Sequence, residues 1–351
     1  MPASMPSWLN DTAAPAVQRL KKTLENPCSD AALEALAATA QALTRRHFGR
    51  TISLYAPLYL SNYCSGGCVY CGYAADREIP RHKLTLDQAR VEMLALRTMG
   101  IEEILLLTGE RTPRADYAYL RRHVDLAAGI FPSVAIETFP MSEEEYRGLV
   151  EAGCTSVTLY QETYDPARYE ALHRWGDKAD YLSRLEAPER ALAAGIRHVG
   201  VGALLGLSEP VMEMIRLFNH VHRLRKKFWR AGVSVSFPRL RPQAGGYQAA
   251  YPVDERWLAR LIFILRTLLP DTPLVLSTRE TPAFRDGMAG VGISKMSVAS
   301  RTTVGGYSDH EDKDPGQFDV SDARDVRAFC AMLREKGLEP VFKNWDMVYR
   351  H

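Results

Sequence analysis

The feature that most constrains this chain is a regular alternation, from residue 51 onward, of short β-rich runs with amphipathic helical runs. The predicted strands cover residues 52–60, 104–107, 134–138, 156–160, 198–204, 233–238, 273–276 and 295–299. Capping boxes at Thr85–Gln88 and Ser142–Glu145 begin two of the helices. Eight strand–helix units favour an α/β fold with a closed (β/α)8 barrel of the TIM type. An incomplete six-strand barrel remains the alternative, because the last two units are the least regular.

The first 50 residues have a different pattern. Apolar residues recur at helical spacing over residues 14–24 and 31–48, and Asn26-Pro27 interrupts the pattern between them. No repeat or low-complexity segment divides the rest of the sequence. We therefore predict a helical N-terminal extension over residues 1–50 and a barrel domain over residues 51–351.

The charge and hydropathy patterns exclude several classes of partner. The 44 basic and 42 acidic side chains are interspersed, the net charge is +2, and no basic face indicates nucleic-acid binding. No apolar run approaches the roughly 18 residues that a membrane span requires. The N-terminus also lacks the basic start and apolar stretch of a secretory signal. We expect a cytoplasmic protein that binds neither nucleic acid nor membranes.

Three of the six cysteines, Cys64, Cys68 and Cys71, lie within eight residues, directly after the first predicted strand. The other three are scattered singly, which is not the pattern of a disulfide framework. Clustered thiolates suit an iron–sulfur cluster, in which three ligands would leave one iron of a cubane open. The alternative is a zinc site with a fourth ligand elsewhere, such as His82, although the paired C-x-x-C units of structural zinc sites are absent.

The segment 59–73, YLSNYCSGGCVYCGY, resembles the radical S-adenosylmethionine (SAM) signature C-x3-C-x-Φ-C, with Tyr70 as the aromatic residue. More narrowly it is similar to the aromatic amino-acid lyases, and above all to the 2-iminoacetate synthase family of tyrosine lyases in thiamine biosynthesis. Further matching stretches are residues 106–110, 160–164, 184–188, 200–208, 236–242, 277–280, 305–307 and 340–346. The resemblance runs from about residue 50 to the C-terminus.

The resemblance implies a radical SAM barrel that holds one 4Fe–4S cluster on Cys64, Cys68 and Cys71, with SAM bound at the open iron. It makes Glu110, in Thr108-Gly-Glu110, the ligand of the SAM amine. Arg184, with Arg190 as its competitor, would pair with the SAM carboxylate, since a planar guanidinium suits bidentate binding. Further contacts implied for SAM are Glu162 to the ribose with Gln161 as its alternative, Tyr70 stacked on the adenine, and the Leu205 backbone at the adenine edge.

The substrate requires a cation for its carboxylate. Arg279, at the end of the seventh predicted strand, is the first candidate, and Arg301, after the eighth, is the second. Ser277 and Thr302 could donate to the same carboxylate, and Arg239 could brace the rim.

By this resemblance, SAM is reductively cleaved to methionine and 5′-deoxyadenosine. The Cα–Cβ bond of L-tyrosine breaks to give p-cresol and dehydroglycine (2-iminoacetate), the precursor of the thiazole moiety of thiamine. The implied partners are L-tyrosine, a one-electron donor such as flavodoxin or ferredoxin, and a thiazole synthase subunit.

Three alternatives remain. A tyrosine lyase of iron-only hydrogenase maturation would carry a C-terminal extension with a further cysteine motif, whereas no cysteine follows Cys330. We therefore expect release of neither carbon monoxide nor cyanide. Another radical SAM aromatic amino-acid lyase would differ in a few pocket residues. A non-catalytic iron–sulfur carrier would not need Glu110, Arg184 and Glu162 beside its cluster.

Replacing Cys64, Cys68 or Cys71 with Ala is expected to abolish cluster assembly, because each thiolate would bind a separate iron. The measurement is the iron and sulfide content after anaerobic reconstitution. The matched controls are Ala variants of Cys28, Cys154 and Cys330, which should retain the full content. Loss of the cluster in one of these controls would contradict the model of an open iron.

Overall fold

The computed structural model describes residues 5–308 and 316–343. Eight parallel strands form the barrel: β1 Thr51–Tyr59, β2 Glu103–Leu107, β3 Ser133–Glu137, β4 Ser156–Thr158, β5 His198–Gly202, β6 Gly232–Ser236, β7 Leu274–Leu276 and β8 Lys295–Ser297. Each strand pairs with the next, and β1 pairs with both β2 and β8, which closes the sheet. The predicted (β/α)8 fold is confirmed, and the six-strand alternative is wrong.

Helices follow the strands around the outside of the barrel. They are α3 Leu86–Thr98, α4 Tyr117–Ala128, α5 Glu143–Glu151, α6 Pro166–Leu172, α7 Tyr181–Ala193, α8 Pro210–Lys227, α9 Glu255–Leu268, α10 Pro282–Met288 and α11 Val326–Glu335. Both predicted capping boxes are formed, at Thr85 and Ser142. The prediction missed α6 and α10, which are too short to display a helical period.

Two helices, α1 Pro15–Glu25 and α2 Asp30–Phe48, and a 3-10 helix at Ser7–Asn10 precede the barrel. In α1 the buried side chains are Val17, Leu20 and Leu24, whose spacing places them on one face of the helix. These elements pack on the outside of α8 and α9. They therefore cover one side of the barrel.

A further strand, β9 Glu339–Val341, was not predicted and pairs in parallel with residues 51–53 at the start of β1. Residues 344–346 of the last matching stretch lie outside the described residues. In the part of the chain that the structure describes, no helix has both the length and the apolar character needed to cross a membrane.

Arg266 on α9 is fully buried and ties the helix to the loops around β7. Its guanidinium donates to the carbonyl oxygens of Thr272 at 2.8 Å and Gly292 at 2.7 Å, and also to those of Leu269 and Pro270. No apolar side chain can replace these donors in the interior.

Replacing Arg266 with Met is expected to lower the free energy of unfolding by about 2–5 kcal/mol, because buried carbonyl oxygens lose their donors. Urea unfolding followed by circular dichroism measures the change. Arg19→Met, at an exposed position of α1, is the matched control and should change the value by less than about 0.5 kcal/mol. Equal stability of the two variants would show that the carbonyl groups find other donors.

Candidate active site at the carboxyl-terminal rim

The cysteine loop begins where β1 ends, at the rim to which the carboxyl ends of all eight strands lead. The Cys64 sulfur accepts hydrogen bonds from the backbone N–H groups of Gly66 at 3.4 Å and Glu110 at 3.3 Å. The Cys71 sulfur accepts one from the N–H of Tyr73 at 3.4 Å. Backbone donors aimed at cysteine sulfur stabilise its thiolate form and are among the groups that set the potential of iron–sulfur clusters.

Two glycines allow close packing at this loop, one against a tryptophan ring and one against a backbone carbonyl group. A Cβ at Gly67 would lie 2.4 Å from the ring of Trp175, and a Cβ at Gly109 would lie 2.4 Å from the carbonyl oxygen of Tyr63. The N–H of Gly67 donates to the Trp175 carbonyl oxygen at 3.0 Å, and Arg174 donates to the Gly67 carbonyl oxygen at 2.9 Å. The cysteine loop is thus held between the loop after β2 and the segment after α6.

The residues present fit an iron–sulfur cluster better than a single zinc ion. In residues 5–308 and 316–343, no three His, Cys, Asp or Glu side chains meet as a site for one ion. The irons of a cubane are separate, so its thiolates need not converge on one point. A Cβ built at Gly66 would lie 3.7 Å from the Cys64 sulfur and 3.6 Å from the Cys68 sulfur, so the two thiols border one space.

Burial raises the pKa of the Cys64 thiol to about 11 and raises the pKa of Cys68 as well. Each thiol therefore ionises only when a cation compensates its charge, and metal ligation supplies that cation.

Four charged groups lie beside the loop and neutralise one another, three of them buried and Glu162 partly buried. Arg184 donates to Glu110 at 3.0 Å and to the carbonyl oxygen of Tyr160 at 2.8 Å, and it also lies 3.6 Å from Glu162. Lys178 donates to Glu162 at 2.7 Å. Although burial opposes ionisation of Glu162, Lys178 and Arg184 hold the pKa of its carboxyl below the usual value. The site therefore contains two carboxylates and two cations in a dry environment, where they interact strongly.

The second oxygen of the Glu110 carboxylate is buried and has no hydrogen-bond partner among the described residues. An unsatisfied buried acceptor of this kind costs about 1–3 kcal/mol or more, which a bound donor would recover. The backbone of Glu162 has φ of 67°, a conformation that non-glycine residues rarely adopt. It is stabilised by a hydrogen bond of 2.8 Å from the Leu204 N–H to the Glu162 carbonyl oxygen. Such strain is concentrated at functional sites.

Two adjoining cavities open inside this rim. The rim cavity is lined by Tyr70, Cys71, Glu162, Lys178, Leu204, Leu240, Arg241 and Gln317. The inner cavity, with about 500 Å³ free of protein atoms, is lined by Tyr55, Pro57, Tyr59, Leu105, Leu107, Ser236, Ser277, Thr278, Ser297, Ser300 and Thr302. Both are also lined by Glu137, Tyr160, Pro238, Arg279 and Phe318. A ligand in one cavity would therefore contact a ligand in the other.

The model of the radical SAM superfamily matches residues 58–221, and that of the biotin and thiamin synthesis associated domain matches residues 236–339. The 2-iminoacetate synthase of Escherichia coli K12 is 43% identical over 326 residues, which cover 92% of this chain and 86% of the relative. The chain belongs to the 2-iminoacetate synthase family of radical SAM enzymes.

Solved structures of the FeFe-hydrogenase maturase HydG have the same fold. One matches with a TM-score of 0.89 and 30% identity over 98% of this chain and 82% of the other. The maturase from Carboxydothermus hydrogenoformans matches with a TM-score of 0.88 and 32% identity over 95% and 77%. As a radical SAM lyase, the protein uses a 4Fe–4S cluster and SAM as its cofactors.

In this radical SAM barrel, the structure brings most of the predicted site residues together. Glu162 and Tyr70 line the rim cavity, and Arg279 is shared by both cavities. Ser277 and Thr302 line the inner cavity. Gln161, the alternative to Glu162, is buried and donates to the carbonyl oxygen of Tyr181 on α7 instead.

Two predicted residues lie elsewhere. The Leu205 N–H donates to the Pro238 carbonyl oxygen at 2.8 Å, and its carbonyl oxygen accepts from Leu240 at 2.9 Å, so the backbone pairing expected with adenine is already used. Its neighbour Leu204 lines the rim cavity in its place. Arg301 is exposed and lines neither cavity. Its neighbours Ser300 and Thr302 line the inner cavity, and the Arg301 N–H donates to the Tyr307 hydroxyl at 3.1 Å.

Tyr70 has a fixed orientation. Its hydroxyl forms a hydrogen bond of 2.7 Å with His173 Nε2, and the Lys178 ammonium lies 5.8 Å from the ring centre. Burial keeps the pKa of His173 well below its ordinary value, so the imidazole is neutral. The ring of Tyr70 is therefore anchored at its hydroxyl end and presents a surface to the rim cavity.

Sequence reasoning gave no functional role to Lys178, Glu137 and Gln317, which also line the rim cavity. Lys178 lies in a 3-10 helix of three residues, Asp177–Ala179, and belongs to no recognisable motif. Gln317 donates to the Cys71 sulfur at 3.5 Å and accepts from the Tyr59 hydroxyl at 2.7 Å. Only Glu137 gave a signal, its position at the end of a predicted strand.

Replacing Arg184 with Ala is expected to preserve the cluster but weaken SAM binding by a factor of about 30 to several thousand, because the variant leaves Glu110 and Glu162 without their shared cation. Equilibrium binding of SAM to the reconstituted protein without reductant measures the effect. Arg190→Ala is the control, since Arg190 donates to the carbonyl oxygens of Met141 and Ser183. Normal SAM affinity in the Arg184 variant would exclude it from the binding site.

Proposed function

We propose that the protein is a tyrosine lyase that cleaves the Cα–Cβ bond of L-tyrosine to p-cresol and 2-iminoacetate for the thiazole moiety of thiamine. The observation that carries this proposal is the pair of adjoining cavities, one beside the cysteines and one inside the barrel, with Arg279 between them. The names of the relatives support it, since both 2-iminoacetate synthases match over 92% of this chain.

The rim cavity receives SAM, and Cys64, Cys68 and Cys71 hold one cluster beside it. The free oxygen of Glu110 accepts from the SAM amine, and Arg184 pairs with the SAM carboxylate. Glu162, kept ionised by Lys178, accepts from the ribose hydroxyls. The orphaned oxygen of Glu110 supports this arrangement, because it faces no donor within the described chain.

The inner cavity receives the amino acid. Arg279 stacks on the Phe318 ring at 3.3 Å from its centre, and its guanidinium donates no hydrogen bond within the described residues. An arginine in a protein stays charged, and the N–H groups of this guanidinium are thus available to bind a carboxylate through two parallel hydrogen bonds. Ser277 lies on the same wall and provides a hydroxyl donor.

When bound and reduced, the cluster and SAM supply hydrogen-atom abstraction. The task of the chain is to position the two ligands and exclude water. Tyr55, Tyr59 and Tyr160 line the inner cavity with their pKa values raised by burial, so their hydroxyls remain protonated. Neutral tyrosines give the aromatic ring of the substrate a wall that is apolar along most of its length and polar at defined points.

The reaction also requires partners. An external one-electron donor such as flavodoxin or ferredoxin reduces the cluster. A thiazole synthase subunit captures 2-iminoacetate, which hydrolyses to glyoxylate when the lyase acts alone.

Anaerobic incubation with SAM, reductant and L-tyrosine is expected to yield p-cresol and glyoxylate, with one 5′-deoxyadenosine formed for each p-cresol at full coupling. The products are identified by mass spectrometry. L-Phenylalanine and L-tryptophan are the matched substrates and should give no cleaved side chain, and Cys68→Ala is the matched protein control.

Two outcomes would contradict the proposal in different ways. Formation of 3-methylindole products from tryptophan, with no p-cresol from tyrosine, would change the substrate. Release of carbon monoxide or cyanide in amounts comparable with p-cresol would indicate the chemistry of hydrogenase maturation instead.

A further inference from the structure

Glu137 ends β3 at the level where the strands meet the two cavities. In the sheet register it pairs with Leu107 on β2 and with Thr158 on β4. Its carboxyl group lines both the rim cavity and the inner cavity. Within residues 5–308 and 316–343, it makes no hydrogen bond or ion pair with protein. A partly buried carboxylate that faces two cavities and has no donor beside it is costly, and its position indicates a ligand that supplies the missing donor.

The other carboxylates of the rim already have cations. Glu110 is paired with Arg184, Glu162 with Lys178, and Glu280 with Arg239 and Arg241. Among these rim carboxylates, Glu137 is therefore the one without a paired cation in the part of the chain that the structure describes. Arg279 is the corresponding available cation, and it lines the same two cavities.

An unpaired carboxylate and an unpaired guanidinium at one site match the two charged groups of an α-amino acid. Arg279 suits the α-carboxylate of such a ligand, and Glu137 suits its α-ammonium group. The side chain of the amino acid would then extend into the inner cavity. A ligand bound in this way neutralises both partly buried groups at once, which removes the cost of leaving each without a partner.

We propose that Glu137 binds the α-ammonium group of the substrate and accepts one proton from it. This inference rests on the proposed function and adds to it the residue that prepares the amine. The transfer converts the –NH3⁺ group of the substrate into –NH2 and the –COO⁻ group of Glu137 into –COOH. Charge and protons therefore balance without another reactant. The neutral amine then lies where the two cavities meet, beside the space for SAM.

The surroundings of Glu137 favour this role. Burial and the charge of Glu162 raise the pKa of its carboxyl to about 7, while the cations Arg279, Lys178 and Arg184 oppose the rise. The phenols of Tyr55, Tyr59 and Tyr160 also interact with this carboxyl and stay neutral because burial raises their pKa values. A general base works best with a pKa near the working pH, since it is then ionised yet accepts a proton readily.

The experiment compares ligands that differ only in their amino or carboxylate groups. Binding of L-tyrosine, 3-(4-hydroxyphenyl)propanoate and tyramine is measured by calorimetry on the reconstituted protein with SAM and without reductant. The variants are Glu137→Gln, Arg279→Gln and, as a matched control, Glu143→Gln on the exposed start of α5. Cluster content and SAM affinity of each variant establish that the site is intact.

Glu137→Gln is expected to bind L-tyrosine about 10- to 100-fold more weakly, and tyramine likewise, while its affinity for 3-(4-hydroxyphenyl)propanoate does not fall. Arg279→Gln should lose affinity for the two carboxylates and retain tyramine. The Glu143 variant should match the wild type. Unchanged L-tyrosine affinity in Glu137→Gln, or an equal loss for all three ligands, would overturn the inference.

A pH profile distinguishes proton transfer from binding alone. In the wild type, kcat/KM for L-tyrosine should rise as the pH increases through about 7, because Glu137 must be ionised to receive the ammonium group. The Glu137→Asp variant should keep such a rise, displaced in pH, and Glu137→Gln should lack it. The same rise in Glu137→Gln would assign the proton acceptor to another group.

Failure of the proposed function is separable from failure of this inference. If the wild type does not bind L-tyrosine, the substrate assignment is wrong, and L-tryptophan with 3-indolepropanoate provides the same comparison for Glu137. A protein that binds none of these amino acids would overturn both.

Discussion

Backbone hydrogen bonds between β1 and its two neighbours, β2 and β8, close the sheet into a ring. Because every strand is parallel, closure brings eight carboxyl ends to one rim, and groups far apart in the sequence become neighbours. Cys64 follows β1, Glu110 follows β2, and Arg279 follows β7. In an open sheet Cys64 and Arg279 would lie far apart. A site that contains all three residues therefore requires the closed barrel.

Within this ring, charge neutrality determines which groups are available. Glu110, Glu162, Lys178 and Arg184 form a buried set of zero net charge, which needs no counterion from solvent. SAM carries an amine and a carboxylate of its own, so each of these two groups can take a partner of opposite polarity from this set. Glu137 and Arg279 differ from this set because they have no ion-pair partner among the described residues. In the proposed function, this difference divides the rim into a cofactor side and a substrate side.

The sequence predicted the barrel and the cysteine loop well, because strand–helix alternation and cysteine spacing are local signals. The sequence resemblance supplied Glu110, Arg184 and Glu162, and the charge network supports their grouping. Lys178 and Gln317 could not be found in this way, since their roles depend on distant backbone that brings them to the loop. The backbone of Leu205, which was predicted at the adenine edge, pairs instead with Pro238 and Leu240, a tertiary contact that the sequence does not show. Arg301 was chosen for its place after a strand, but a loop can turn a side chain away from the rim.

The contact between the cysteine loop and the segment after α6 has a thermodynamic consequence. Hydrogen bonds from Gly67 to Trp175 and from Val69 to Leu172 fix the cysteine loop to the chain that leads directly to Lys178. Ordering the loop around a cluster therefore also orders the cation that keeps Glu162 ionised. If the three cysteines hold the cluster and Glu162 binds SAM as proposed, cluster assembly and SAM binding are linked through this shared segment as well as through the iron itself. Linkage is reciprocal. If the assembled cluster raises the affinity of the protein for SAM by some factor, bound SAM raises its affinity for the cluster by the same factor.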